Sequence, residues 1–106
     1  MHNFKPKLPY YAVIFTSSST ENQDGYQEMA NLMETLVKQQ DGFLGMDSAK
    51  QNVGITVSYW KSLEAIKNWK AHSEHLLAQI KGREKWYSNY NVRVCKVERE
   101  YNFDKY

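Results

Sequence analysis

Apolar side chains along this chain alternate between a spacing of about two and one of about 3.6, the periods of a strand and of a helix. Tyr10-Tyr11-Ala12-Val13-Ile14-Phe15-Thr16 is rich in β-branched and aromatic residues and predicts a first strand. The polar run from Ser17 to Gly25 leads into Tyr26 to Gln40, where Tyr26, Met29, Ala30, Leu32, Met33, Leu36 and Val37 recur three and four apart. That spacing predicts an amphipathic helix. Asn22 or Asp24 offers a side-chain oxygen as its N-cap, and Asp41-Gly42 ends it, since glycine enters the left-handed conformation at no steric cost. Phe43 to Ala49 predicts a short strand and Lys50-Gln51-Asn52 a turn. Val53 to Trp60 alternates, with Val53, Ile55, Val57 and Tyr59 on one face. Ser62 caps a helix carrying Leu63, Ile66 and Trp69, and a second helical piece runs from about Ser73 to Tyr87 with Gly82 interrupting it. Asn91 to Tyr101 is the last strand.

Residues 1–9, with two prolines, form an irregular lead-in, residues 10–101 one domain, and residues 102–106 a tail. The order β-α-β-β-α-β, its last helical region in two pieces, is the split βαβ plan of the ferredoxin-like α+β class, an antiparallel four-stranded sheet with helices on one face. A sheet covered on one side alternates apolar with polar positions. Here Tyr11, Val13 and Phe15 are backed by Tyr10, Ala12 and Ile14, Trp60 opposes Tyr59, and Val92 and Val94 oppose Cys95, Val97 and Tyr101. Two apolar faces need two covers, and the helices supply one. The second is expected from another copy, giving a homodimer with its sheets face to face.

Composition narrows the remaining possibilities. Lys plus Arg number 14 against 12 Asp plus Glu, a net charge of +2, too balanced for a strong polyanion-binding surface. The third strand also lacks the Gly-Phe-x-Phe-type motif of RNA-recognition domains, so no nucleic-acid partner is expected. No apolar run approaches the ~18 residues of a membrane span, and the start Met1-His2-Asn3-Phe4-Lys5-Pro6-Lys7 lacks a signal-peptide core, so the reading is cytoplasmic with no membrane partner. Cys95 is the single cysteine, which leaves no internal disulfide and predicts a small hydrophobe at the dimer sheet. Aromatics, at 14%, exceed what a core of this size needs, so some rings are expected to face a pocket or a partner.

The segment Tyr59-Trp60-Lys61-Ser62-Leu63-Glu64-Ala65-Ile66-Lys67-Asn68-Trp69-Lys70-Ala71-His72-Ser73-Glu74-His75-Leu76 combines a tryptophan ending a strand, a Ser-Leu-Glu-Ala helix start and a Trp-x-x-His step. It resembles the antibiotic biosynthesis monooxygenase superfamily, small dimeric α+β barrel proteins. The continuation Gly82-Arg83-Glu84, Trp86-Tyr87, Tyr90 and Arg93 is similar to an uncharacterised branch of it. The resemblance implies a pocket between sheet and helices, where cofactor-free members oxygenate phenolic or quinol-type rings with dioxygen. It thus implies no cofactor, and a small aromatic molecule as substrate.

Under that implication a base takes the phenolic proton and nearby donors hold the oxyanion. His72 and His75 are the candidate bases, Arg83 the anion partner, and Tyr59, Trp60, Trp69, Trp86 and Tyr87 the aromatic lining. Each has a plainer reading: surface polar residues for the histidines, core packing for the tryptophans, a helix-surface ion pair for Arg83. A two-histidine metal site lacks a supporting carboxylate pattern. The heme-degrading branch carries its ligating histidine where this chain has Gln79, and an asparagine in a first strand that here has none, which argues against heme degradation. The alternative to an enzyme is a non-catalytic binding or structural dimer of the same fold.

Overall fold

The computed structural model describes residues 6–80 and 82–105, with the side chains at 78–80 and 83 left aside. Its elements are β1 (Tyr10–Ser19), α1 (Tyr26–Val37), β2 (Phe43–Lys50), β3 (Val53–Trp60), α2 (Leu63–Ile80), α3 (Gly82–Trp86) and β4 (Tyr87–Val97). The strands form one antiparallel sheet in the order β2-β3-β1-β4, the ferredoxin-like topology.

Where local chemistry dominates, expectation and structure agree. β3 has the predicted ends. Ser62 caps α2 by accepting the Ala65 amide at 3.1 Å, satisfying one of the donors a helix start leaves free. Gly42 adopts φ 85, and a Cβ there would lie 2.8 Å from the Cβ of Ala65, so this turn needs glycine for space as well as conformation.

Elsewhere the structure corrects the expectation. Neither Asn22 nor Asp24 caps α1: Gly25, at φ 80, precedes it without a side-chain cap, while Asn22 turns its oxygen to the Asp24 amide at 3.1 Å. α1 stops at Val37, short of Gln40, and the chain reaches Gly42 through turns. The two helical pieces placed on either side of His72 are one continuous α2, and the break falls after Ile80, before α3. Ser73 is tolerated inside it because its hydroxyl bonds back to the Lys70 carbonyl at 3.2 Å. β4 begins at Tyr87, four positions ahead of the predicted Asn91, because Ser19 and Tyr87 extend its pairing with β1 past an irregularity at Ser18/Ser19.

The core lies at one end of the sheet, on the helix side. Val37, Trp60 and Ile66 are buried there against Tyr11, Val13, Phe43, Met46, Ala65 and Trp69. Trp60 has no exposed surface; its indole N–H donates to Ser58 Oγ at 2.9 Å, which removes the cost of burying an unpaired donor. The opposite side of the sheet carries Tyr10, Ala12, Ile14, Val53, Ile55, Val57, Val97 and Cys95, of which Tyr10 and Ala12 are buried, and no helix among the described residues lies on it. Val53 and Ile55 are 51% and 43% exposed there, and Cys95 is exposed as well. The sheet therefore has two apolar faces, one covered by the chain's own helices.

Candidate functional site

Strand register sets what lies beneath the helices. Lys50, Gly54, Ser17 and Tyr90 form one row across the sheet on the helix-facing side; Ser48, Thr56, Phe15 and Val92 form the next, then Met46, Ser58, Val13 and Val94. β3 thus turns its regular apolar residues outward and presents Gly54, Thr56 and Ser58 to the helices. The floor under α1 is hydroxylic. Above it Tyr26, Met33 and Val37 fall in line along α1, yet Val37 is the buried one and the other two are half-exposed. Val92 and Val94, on the helix side of β4, remain 46% and 50% exposed. Cover and sheet therefore do not close completely away from the core end.

Aromatic rings form a wall at the end of the sheet remote from Trp60. Phe15 lies 5.6 Å from Tyr87 and 5.3 Å from Tyr90 between ring centres, and Tyr87 lies 5.6 Å from Tyr90. Tyr26 meets Trp86 at 5.7 Å and Tyr87 at 6.3 Å, both edge-on, the arrangement that sets a positive ring edge against a negative face. Burial pushes the Tyr87 phenol up, and the Tyr26 and Tyr90 phenols add to this, so Tyr87 is a hydrogen-bond donor at neutral pH.

Side-chain bonds fix the wall. The Trp86 indole N–H donates to the Asp24 carbonyl at 2.8 Å, and Gln23 Nε2 donates to the carbonyls of Thr20 at 2.9 Å and Trp86 at 3.1 Å. Lys50 Nζ donates to Gln23 Oε1 at 3.3 Å and stands 3.6 Å from the centre of the Tyr26 ring, a cation–π contact. Just outside, Met29, Leu32, Lys85 and Trp86 line a shallow groove of about 300 Å³.

The sequence-predicted site residues fall in separate places. Trp86 and Tyr87 belong to the aromatic wall. Trp69 is half-buried on α2 and packs on the core, with His72 one turn later stacked against it at 5.7 Å between ring centres. His72 and His75 are both exposed on the single chain. Trp60 is wholly inside the core, and Tyr59, its neighbour on the strand, lies on the uncovered face, so the two do not share a site. There Tyr59 donates to Asp47 at 3.1 Å and meets Tyr10 edge-on, and Tyr10 in turn donates to the Glu100 carboxylate. The Arg83 and Gln79 side chains lie outside the described residues. Among the described residues no group of three or more His, Cys, Asp or Glu is arranged to hold a metal ion.

Sequence reasoning passed over Phe15, Ser17, Tyr26 and Lys50 as parts of the site. A signal for the floor was present in Gly54, Thr56 and Ser58, the small and polar positions that alternate with the apolar Val53, Ile55 and Val57.

Comparison with known proteins agrees with this architecture. Residues 9–81 match the family model for antibiotic biosynthesis monooxygenase. The uncharacterised protein YqjZ of Bacillus subtilis is 50% identical over 102 residues, which cover 94% of this chain and 90% of that protein. SnoaB, a cofactor-independent oxygenase from Streptomyces nogalater, superposes with a TM-score of 0.65 at 8% identity, covering 92% of this chain and 99% of SnoaB. Protein SO0527 of Shewanella oneidensis gives 0.70 at 7% identity, over 87% of this chain and 94% of its own. At such identities the likeness to the solved structures is one of fold.

Proposed function

The chain belongs to the antibiotic biosynthesis monooxygenase family, and from that premise we propose that it is a cofactor-independent monooxygenase acting on a small quinol-like aromatic in the cleft between sheet and helices. The observation that carries this reading is the wall of Phe15, Tyr26, Tyr87 and Tyr90 standing over a hydroxylic floor. Aromatic walls hold a flat ring by stacking, each contact worth roughly 0.5–1.5 kcal/mol beyond burial.

The reaction asks little of the protein. A hydroquinone and dioxygen give a hydroxyquinone and water: one oxygen atom enters a ring C–H bond, and the other leaves with two hydrogens from the oxidised ring. The substrate supplies all the electrons. Removing a phenolic proton makes the ring a reductant for dioxygen, a task suited to an imidazole of ordinary pKa near ~6.5. His72, stacked on Trp69, takes that role in this reading ahead of His75, which makes no such ring contact among the described residues. Tyr87, protonated, donates to developing negative charge, and Arg83 is taken as the cation that partners that anion. Trp86 backs the wall, and Trp69 lines the side on which His72 sits. Two copies pack their uncovered faces together, with Tyr10 and Tyr59 inside the interface, and so frame one cleft in each subunit.

Oxygen uptake tests the proposal. With hydroquinone and naphthohydroquinone substrates, the protein is expected to consume dioxygen well above the buffer rate, and His72→Ala to lower that rate by ~10²-fold or more, the low end for general-base loss. Uptake equal to buffer, with ligand still bound, would make the protein a binding module of this fold.

A further inference from the structure

One row of the uncovered sheet face carries a charge at each end. Strand register lines up Asp47 on β2, Val57 on β3, Ile14 on β1 and Arg93 on β4. β2 and β4 are the edge strands, so carboxylate and guanidinium stand at opposite borders of the row, both exposed, with Val57 and Ile14 half-buried between them. Among the described residues these are the only charged side chains that the four strands place on this face; the Glu100 carboxylate reaches it from beyond β4, where it accepts from Tyr10. Asp47 accepts the Tyr59 hydroxyl at 3.1 Å, which fixes the carboxylate, and a carboxylate has room for further donors. Arg93 makes no ion pair among the described residues. Three strand spacings, about 14 Å, keep it from Asp47 of its own chain.

We infer that these two charges orient the second copy that covers this face: the two-fold axis of the dimer runs along the strands, and Asp47 of each subunit pairs with Arg93 of the partner subunit. This rests on the reading of the uncovered face as the interface between two copies. Sheets packed in the aligned manner can be related by an axis along their strands or across them. Rotation about an axis along the strands keeps every row at its own height and reverses it from border to border. β2 then lies over the β4 of the other copy, Asp47 over Arg93 and Val57 over Ile14, with an ion pair at each border and apolar contact between. Packed sheets stand roughly 10 Å apart, a gap that an arginine and an aspartate reaching toward each other can bridge. An axis across the strands lays β4 over β4 instead. Where it crosses this row it sets like charges together, and crossing elsewhere it leaves each charge against an uncharged row. Charge complementarity thus selects one arrangement and penalises the other.

Dimer dissociation constants, from sedimentation over a dilution series, test the pairing. Asp47→Arg and Arg93→Asp each create two like-charged contacts and are expected to weaken the dimer about tenfold or more. The two substitutions combined rebuild both pairs in reverse and are expected to return the constant to within about threefold of the natural value. Cross-linking with a short bismaleimide gives a second readout that reverses no charge. In a Cys95→Ala background, Asp47→Cys combined with Arg93→Cys should yield covalent dimers, whereas either cysteine alone should not, because the axis holds equivalent positions at opposite borders. Single reversals that leave the dimer unchanged, a double reversal no tighter than the singles, or covalent dimers from one of the two cysteines alone overturn the inference. A stable dimer indifferent to the single reversals removes this pairing and leaves the face-to-face reading standing, while a chain that is monomeric at every concentration removes both.

Discussion

Trp86 donates its indole N–H to the carbonyl oxygen of Asp24 at 2.8 Å, across 62 positions of sequence. The bond joins the last turn before β4 to the residue ahead of Gly25, where α1 begins. It therefore sets how Tyr26 meets Trp86 and Tyr87, and with them the end wall of the cleft.

Trp86→Phe keeps most of the ring and removes the donor, leaving the Asp24 carbonyl to water. Chemical denaturation is expected to show a loss of about 1–2 kcal/mol, the ordinary value of one hydrogen bond with its unpaired partner. Trp86→Ala also empties space that is 4% exposed, and a loss of about 3–5 kcal/mol is expected. If the two substitutions cost the same, the ring does not fill the junction.

Gly42→Ala tests the turn between α1 and β2. The residue sits at φ 85, and the new Cβ would lie 2.8 Å from the Ala65 Cβ, closer than real Cβ contacts come. Positive φ and overpacking act together, so a destabilisation of about 2–4 kcal/mol is expected by the same measurement. Gly25→Ala shares the positive φ but meets its nearest atom, on Trp86, at 3.6 Å, so it should cost less.

Ile55, 43% exposed on the uncovered face, reports on association. Sedimentation of the natural protein is expected to give twice the 12.5 kDa chain mass, and Ile55→Glu a single chain of unchanged secondary structure, because a charge there meets water in the monomer and a buried apolar sheet in the dimer. A natural protein that sediments at one chain mass excludes the face-to-face pair.

Tyr10 links stability to pH at both ends of the scale. Burial, and then its hydrogen bond to Glu100, raise its phenol to about 12 from 10.0. A raised pKa gives stability that is complete below about pH 10 and is lost as pH climbs toward 12, because the unfolded chain ionises first. The same bond holds the Glu100 carboxyl below its usual 4.5, so that contribution is present above about pH 4.5 and fades as pH falls. Thermal melts of Tyr10→Phe against the natural protein should narrow in difference at both extremes. A difference independent of pH would show that the hydroxyl bond adds nothing.

Much of this molecule was readable from the order of its residues. Element types, the ferredoxin-like plan, the Ser62 cap, the glycine turn at Gly42 and the two apolar faces all follow from spacing and local chemistry, which act over a few neighbours. Gly82 marked a helical interruption, but where it falls depended on packing: α2 runs unbroken past His72 because Trp69 and Ile66 anchor it on the core. The site was legible only in part. Trp86 and Tyr87 are adjacent and were read together, whereas Phe15, Tyr26 and Lys50 come from three other elements, and only strand register and a helix start bring them beside Tyr90. Alternation told that β3 has an apolar face without telling which way it turns. The tertiary structure decided that, because the buried Trp60 must face the helices and so sends Tyr59, Val57 and Ile55 to the other side.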